Sequence, residues 1–237
     1  MRLIALFLAL VAFASPAHAQ IFSQPIERSY SVTSYDRVRV EGGLSVTLVT
    51  DVSPFARAKG KAADMDGLSI AMNGRTLVIR QSVANRQRSN NLGPVTIEIG
   101  TPAIRQVWVN GSGTLDIDRV EGLEFDAAVN GAGRLRIGSV EADNFELLLN
   151  GAASAEVEGR VESGIIVVRG VSTLRGSGLN IEQVTLGVDG PGYVELGISE
   201  QAEIDSVGAG TITIAGSPAC TTRLSGPTSL TGCAPGR

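Results

Sequence analysis

The sequence has 237 residues, a formal net charge of -4 at pH 7, and hydrophobic residues at 43% of its positions. Its lysines and arginines are scattered, so this mildly acidic chain lacks the basic surface that nucleic acid requires, and we expect no nucleic-acid partner. It contains 29 glycines against 9 prolines. Glycine at this frequency and with regular spacing indicates repeated turns rather than disorder.

The first 19 residues have the pattern of a secretory signal peptide. Arg2 precedes an apolar run at residues 3–14, and Ala17-His18-Ala19 forms a small-x-small cleavage site. We predict a signal peptide over 1–19, cleavage before Gln20, and export to the periplasm or the extracellular space. The apolar run is too short to span a bilayer, so we expect no transmembrane segment in the mature chain. The alternative is an uncleaved N-terminal anchor.

Residues 26–104 contain irregular copies of a strand–glycine–strand theme. Alternating apolar residues flank Gly42 on both sides, and a second copy around Gly74 is one residue out of step. Longer polar loops at 51–66 and 81–94 separate the copies. We assign 26–104 to irregular coils, 105–237 to regular coils with a C-terminal cap, and the whole of 20–237 to one continuous domain.

Seven glycines recur in the second half of the chain with steps of 18–20 residues: Gly111, Gly131, Gly151, Gly170, Gly190, Gly208 and Gly226. With few exceptions, the positions two and four residues before each glycine, and four and six after it, are apolar. Alternation with a period of two predicts two short strands per repeat. A repeat of this length cannot bury its own apolar face, so repeats must stack on one another.

The stacked repeats predict an all-β, single-stranded parallel β-helix, a right-handed β-solenoid with about seven regular coils. The Asn-Gly pairs at 110–111, 130–131 and 150–151 are also strong hairpin signals, which would instead give an antiparallel meander or sandwich. We favour the solenoid because the columns keep one period and one identity. Glycine would then turn a corner of each coil with a positive φ.

Charges alternate in sign five residues after successive glycines, at Asp116, Arg136, Glu156, Arg175 and Glu195. In a parallel stack these side chains would lie ~4.8 Å apart on the solvent face. We predict a structural charge ladder that favours one register, because a slip of one strand would pair like charges. The alternative is a solvated face whose alternation is accidental.

A column three residues before the glycines breaks the alternation of apolar and polar residues. It contains Trp108, Leu148 and Val167 at positions expected to face outward. We interpret it as a covered apolar face or an interaction face. The cover would be the N-terminal segment or a second subunit, and the long N-terminal segment favours the internal cover.

Cys220 and Cys233 are the only cysteines. In an exported protein they are expected to form a disulfide. The bridge would close a loop of about 14 residues, worth ~3 kcal/mol in the chain-entropy model. Because the pair flanks the last repeat, we predict that it caps the end of the stack.

Several of these segments together resemble a known family. They are the strand at 95–99 followed by Thr101-Pro102, the run at 107–113 that ends in Val-Asn-Gly-Ser-Gly, and the later Gly-x-Gly repeats. They are similar to the auto-transporter adhesin head domains, called the GIN domain family, over residues 33–232. The resemblance implies a mostly β protein with a stacked β-helix. It implies no catalytic residues.

The sequence offers little for catalysis or metal binding. Without His18 the mature chain has no histidine, which excludes a Ser-His-Asp relay and disfavours zinc. The run 110–118 approaches a calcium-binding repeat, but its aspartate comes one residue late and Arg136 replaces Asp116 in the next repeat. We therefore predict no catalytic residues, no metal site and no cofactor.

These observations favour a non-catalytic, exported envelope or secreted β-solenoid that acts as an adhesin or surface interaction module. Its partner would be an envelope protein or a glycan, and a homo-oligomer is compatible with the apolar column. The alternative is a carbohydrate-active β-helix protein. Its paired carboxylates would be Glu124 with Asp126, or Glu203 with Asp205.

Overall fold

The computed structural model describes residues 24–82 and 94–233, so the predicted signal peptide and its cleavage site lie outside the described residues. Its N-terminal part consists of β1 (Ile26–Tyr30), β2 (Arg37–Gly42), β3 (Ser45–Val49), β4 (Phe55–Gly60), helix α1 (Ala62–Met65), β5 (Leu68–Asn73), β6 (Thr76–Gln81) and β7 (Thr96–Gly100). The regular part consists of β8 (Gln106–Gly111), β9 (Thr114–Ile117), β10 (Val120–Gly131), β11 (Arg134–Gly151), β12 (Ser154–Gly170), β13 (Thr173–Asp189), β14 (Tyr193–Val207), β15 (Thr211–Ala215), β16 (Ala219–Ser225) and β17 (Ser229–Thr231).

Successive glycine-centred segments run parallel and in register. Gly111 pairs with Gly131, Gly131 with Gly151, and Gly151 with Gly170. The predicted parallel β-solenoid is confirmed, and the antiparallel meander is wrong for these repeats. The described strands make about six turns, because the segment centred on Gly226 adds only β16 and β17 to the end of the stack.

Each complete coil has three paired segments rather than the two that the repeat predicted. Along β11, residues 134–137, 140–142 and 144–151 pair separately with β12, and the register shifts between Ile137 and Val140. The extra segment is only three residues long in β11. It carries two inward residues, Val140 and Ala142, which is too few for a recognisable alternation.

The core is a set of inward columns that run along the stack. Leu135, Leu147 and Leu149 are at most 2% exposed, and their counterparts on neighbouring coils are buried in the same way. Phe125 and Phe145 stack in one such column, with ring centroids 5.8 Å apart and planes inclined by 6°. Burial of every second residue in each segment gives the solenoid a continuous apolar interior.

The recurring glycines occupy a corner at which successive coils approach closely. Gly131 has φ 110° and Gly151 has φ 102°, so the predicted positive φ is confirmed. A Cβ at Gly151 would lie 2.7 Å from the carbonyl oxygen of Gly131. The glycine is therefore required both by its own backbone conformation and by the carbonyl of the coil beside it.

The N-terminal coils are not stacked in chain order. Strand β2 lies between β6 and β8, and β3 lies between β7 and β9. Antiparallel strands extend this end of the sheet, with β5 on β6, β4 on β7 and β1 on β4. The interpretation of Gly74 as the centre of a coil is wrong, because Asn73 pairs with Thr76 across a hairpin. Here the Asn-Gly hairpin signal holds, which explains why this copy is out of step.

An ion pair between the largely buried carboxylate of Asp36 and the exposed guanidinium of Arg75 joins the inserted strand to its neighbour. Arg75 donates from Nε to Asp36 Oδ1 at 3.0 Å and from Nη2 to Asp36 Oδ2 at 2.7 Å. The Asp36 backbone carbonyl also accepts the amide N–H groups of Arg105 and Gln106. The hydrogen bonds from Arg75 lower the pKa of the Asp36 carboxyl below its ordinary value. One residue thus joins β2 to the strands on both sides.

We expect Asp36→Asn to lower the free energy of unfolding by about 0.5–1 kcal/mol at pH 7, because the charged pair that it removes is bidentate but its guanidinium is exposed and screened by solvent. The folded-state pKa is lowered, so the contribution is present above the unfolded-state pKa of about 3.9 and is lost as pH falls through the folded-state pKa. Urea unfolding at pH 7 and in acid should show this loss. The exposed Asp143→Asn is the matched control. A difference from wild type that persists unchanged in strong acid would contradict this assignment.

The C-terminal end is closed by the predicted disulfide. Cys220 and Cys233 are bridged, with their Cα atoms 5.6 Å apart, so this prediction is confirmed. Both cysteines pack against the core beside Leu230. The inward-column residue Leu224 is 42% exposed, because β16 has a neighbouring coil on one side within the described chain. The bridge thus holds the least covered coil of the stack.

Candidate functional site

The structure brings the five residues of the charge column onto neighbouring coils in one register. Asp116 lies opposite Arg136, Arg136 opposite Glu156, Glu156 opposite Arg175, and Arg175 opposite Glu195. Within the described chain, Arg136–Glu156 is the one adjacent pair of this column that forms a salt bridge, with Nε and Oε2 3.9 Å apart. Glu195 instead accepts a hydrogen bond from the Tyr193 hydroxyl at 3.3 Å.

We expect Arg136→Glu to lower the free energy of unfolding by about 0.5–1 kcal/mol, because it places three carboxylates on successive coils of an exposed column. Reversal of Asp116 and Glu156 to Arg in the same chain should restore stability. Urea unfolding at low and high salt measures both effects, and salt should reduce them. An unchanged midpoint in the single variant would argue against a role of this column in register.

The outer face is the surface formed by the outward residues of seven neighbouring strands, β2, β8, β10, β11, β12, β13 and β14. Its central column contains, in stack order, Arg39, Trp108, Ala128, Leu148, Val167, Gly187 and Asp205. A second column contains Arg37, Gln106, Asp126, Glu146, Ile165, Thr185 and Glu203. Register alone places these residues side by side, although they are 18–20 residues apart in the regular repeats.

The sequence predicted that the N-terminal segment or a second subunit covers this face. Trp108, Leu148 and Val167 lie next to one another on the outer face and are each half-buried. The described N-terminal strands do not cover this column, because they continue the stack beyond β8.

The outer face contains a shallow groove of about 370 Å³. Ala128 lies between Trp108 and Leu148 and leaves a hollow between the two larger side chains. Apolar side chains dominate the lining of the groove, and carboxylates line one side. The lining residues are Gln106, Val107, Trp108, Asp126, Ala128, Glu146, Leu148, Ile165, Val167 and Arg169, together with Ala127 and Leu147.

Two carboxylates lie on one wall of the groove, on adjacent strands. Asp126 pairs in register with Glu146, and Glu124 precedes Asp126 on the same strand. Burial raises the pKa of the Asp126 carboxyl, and the charges of Glu146 and Glu124 raise it further. The more distant Arg37 opposes this shift. This wall therefore carries excess negative charge that a cationic group would neutralise.

The two ends of the outer face differ in charge. At the end near β2, the Arg39 guanidinium lies over the Trp108 ring, 4.9 Å from its centroid. At the end near β14, Glu203 and Asp205 share a single cation, Arg223, at 3.0 and 3.2 Å. One end is thus basic, and the other carries two carboxylates for one guanidinium.

Among residues 24–82 and 94–233, no group of three or more His, Cys, Asp or Glu side chains could hold a metal ion. A search of the same residues for a helix long and apolar enough to cross a membrane finds none. The groove has an apolar floor and one acidic wall, and the outer face that contains it has a basic end.

Sequence reasoning found the apolar column but not its surroundings. It paired Asp126 with Glu124 along one strand, whereas the carboxylate that lines the groove together with Asp126 is Glu146 from the next coil. Alignment of the repeats five residues before each glycine would have exposed that pair. Arg39 could not be placed beside Trp108, because β2 does not precede β8 in the regular repeat pattern.

Comparisons with solved structures show the same fold. A crystal structure described as a putative adhesin from Bacteroides fragilis NCTC 9343 matches with a TM-score of 0.78 and 16% identity, covering 87% of this chain and 96% of that chain. A putative adhesin from Parabacteroides merdae ATCC 43184 matches with a TM-score of 0.70 and 12% identity, with coverage of 88% and 96%. A putative lipid binding protein from Parabacteroides distasonis ATCC 8503 matches with a TM-score of 0.67 and 17% identity, with coverage of 88% and 96%.

No protein with a curated description matches this sequence. Residues 34–218 match the sequence pattern of a family described as "Putative auto-transporter adhesin, head GIN domain". The match spans most of the chain, including the outer face from β2 to β14, and it confirms the resemblance found from the repeats. The chain belongs to this family, the GIN domain family.

Proposed function

We propose that this chain is an exported, non-catalytic interaction module of the cell envelope or extracellular space, and that it contacts its partner through the outer face. The observation that carries the proposal is the half-buried apolar column of Trp108, Leu148 and Val167, which lines a groove on the outer face. A contiguous apolar strip with a polar rim is the usual composition of an interaction site. The adhesin family supports a surface role, and the signal-peptide pattern supports export.

The scaffold suits this role because it is regular and continuous. Each strand of the outer face is hydrogen-bonded to a strand on either side, so the apolar column is already ordered before a partner binds. Binding to this preorganised surface therefore costs little conformational entropy in the surface itself. We expect the partner to be an envelope protein or an envelope glycan.

The test is binding of the labelled mature chain to envelope fractions and to arrayed glycans, with Leu148→Glu as the variant. We expect binding to weaken at least about tenfold, since the charge lies at the centre of the apolar strip, while the melting temperature stays close to that of wild type. The matched control is Leu123→Glu, because Leu123 is 74% exposed at a coil corner outside the outer face. Equal binding by Leu148→Glu and wild type would refute the proposal.

Carbohydrate cleavage in the same groove is the second candidate, and one observation favours it. The Asp126 carboxyl has a raised pKa beside Glu146, as a proton donor beside a second carboxylate requires. We rank it second because both carboxylates lie on one wall, whereas glycosidases place theirs on either side of the scissile bond. Release of reducing ends from a polysaccharide, lost in Asp126→Asn, would reverse this ranking.

A further inference from the structure

Strand β11 has three strands of the outer face on each side, out to β2 and β14, and the same sheet continues onto β6 at one end and β16 at the other. On either side of Leu148 the central column contains Trp108 and Ala128 in one direction, and Val167 and Gly187 in the other. Read in the opposite direction, the same column places Gly187 against Trp108 and Val167 against Ala128.

Gly187 is the informative residue of this column. Its φ is not positive, and a Cβ added there would meet only Val167 Cγ2, at 4.0 Å. In contrast with Gly151, neither its backbone nor its packing within the described chain calls for glycine. Glycine also weakens a strand interior. The hollow at Gly187 therefore fits a role outside this chain's own folding.

The charges at the two ends of the face are also complementary when one end is placed opposite the other. Arg37 and Arg39 lie on β2, three strands from β11 on one side, and Glu203 and Asp205 lie on β14, three strands away on the other. Arg37 and Arg39 form no salt bridge with the described residues. Glu203 and Asp205 have Arg223 as their single cationic partner there. The basic end and the acidic end are thus complementary in charge and equally far from Leu148.

We propose that the outer face docks on the outer face of a second copy of this chain, with the two stacks antiparallel and a two-fold axis along β11 at Leu148. This inference rests on the proposed function, since it names the occupant of the same surface. Such an axis places each column of one copy opposite the same column of the second copy, with the strands in the reverse order. Trp108 then enters the hollow at Gly187 of the partner subunit, and Arg37 and Arg39 face Glu203 and Asp205 across the interface.

The size of the face is sufficient for a specific dimer. Seven strands ~4.8 Å apart, with about seven residues each at ~3.3 Å per residue, give a contact of roughly 700 Å² per copy. The total of roughly 1,400 Å² lies within the range of specific protein–protein interfaces. One pair in this arrangement is unfavourable, because Glu146 faces its own copy across the axis. We therefore expect a weak dimer that Glu146→Gln tightens several-fold.

The first test is sedimentation of the mature chain from about 1 to 300 µM, a range that covers weak dimers. We expect reversible dimerisation in wild type. Gly187→Leu should weaken it at least about tenfold by filling the hollow, with unchanged or raised thermal stability, because the residue has room within its own chain. The matched control is Gly122→Leu, since Gly122 has no atom within 4 Å of an added Cβ and lies outside the outer face.

The second test fixes the register by exchange of charge. Arg37→Glu and Glu203→Arg should each weaken self-association at least about tenfold, because each places like charges at both ends of the interface. A one-to-one mixture of the two variants should recover the wild-type affinity, because every facing pair is then opposite in charge. The two positions are six strand spacings apart within one chain, about 29 Å, so no contact inside a single chain can produce this recovery.

A wild-type chain that stays monomeric throughout the range would overturn the inference. A dimer that resists Gly187→Leu, or a mixture of charge variants that does not recover, would also overturn it. The proposed function has a separate readout. A monomeric chain whose binding to envelope fractions is still lost in Leu148→Glu would retain the interaction module and remove only the second copy as its partner.

Discussion

Phe145→Ala is expected to lower the free energy of unfolding by about 3–5 kcal/mol, the largest loss that we predict for a single core residue. Phe145 is 1% exposed and stacks on Phe125 at a centroid distance of 5.8 Å. On its other side the same inward column contains Gly164, which has no side chain to fill the space. Because hydrogen bonds hold neighbouring strands at a fixed spacing, the cavity cannot close by a shift of the backbone.

Guanidinium unfolding followed by fluorescence and circular dichroism measures this loss. Phe145→Leu is the graded control and should cost about 1–2 kcal/mol, since it keeps most of the buried volume. The double variant with Phe125→Ala should lose less than the sum of the single variants, because the ring contact of about 0.5–1.5 kcal/mol is removed only once. A loss below about 1 kcal/mol in Phe145→Ala would show that the coils relax far more than their hydrogen bonding implies.

Gly151→Ala is expected to destabilise the fold by about 3–5 kcal/mol, although it adds a single methyl group. Two independent effects act on this residue. Its φ of 102° is unfavourable for any residue with a Cβ, and that Cβ would lie 2.7 Å from the carbonyl oxygen of Gly131. The clash is with backbone on the neighbouring coil, so no side-chain rotation can relieve it.

Gly122→Ala is the matched control for this experiment. Gly122 lies in the same kind of strand, has no positive φ, and has no atom within 4 Å of an added Cβ. Its substitution should change the unfolding midpoint little. Equal effects of the two substitutions would mean that the recurrent glycines serve chain flexibility rather than close stacking, and would contradict the role assigned to the corner.

The regular part of the fold could be predicted because its determinants are local and repeated. The glycine column marks a corner at which only glycine fits, and the inward columns around it fix which side chains enter the core. A repeat of 18–20 residues must stack in register to bury those columns. The pairing of Asp116 with Arg136, and of each later member of that column with the next, follows from the same alignment.

The candidate site could be predicted only in part. The column of Trp108, Leu148 and Val167 was visible as an interruption of the polar pattern. The groove wall was not visible in the sequence, because Asp126 and Glu146 lie on neighbouring coils and are paired only by the register of the two strands. The hollow at Gly187 was also hidden, since a glycine required by its backbone and a glycine with free space beside it look the same in a sequence.

By itself, the sequence determined a parallel stack of glycine-cornered coils, with an apolar interior, a bridged C-terminal end and an apolar strip on one outer surface. Only the tertiary structure decided the order of the coils, in which β2 enters between β6 and β8. That order brings Arg39 onto the ring of Trp108 and gives the outer face its basic end. The physical reason is that a strand edge accepts any partner that completes its hydrogen bonds and buries its inward residues. The choice among such partners depends on the whole assembled core and not on nearby sequence.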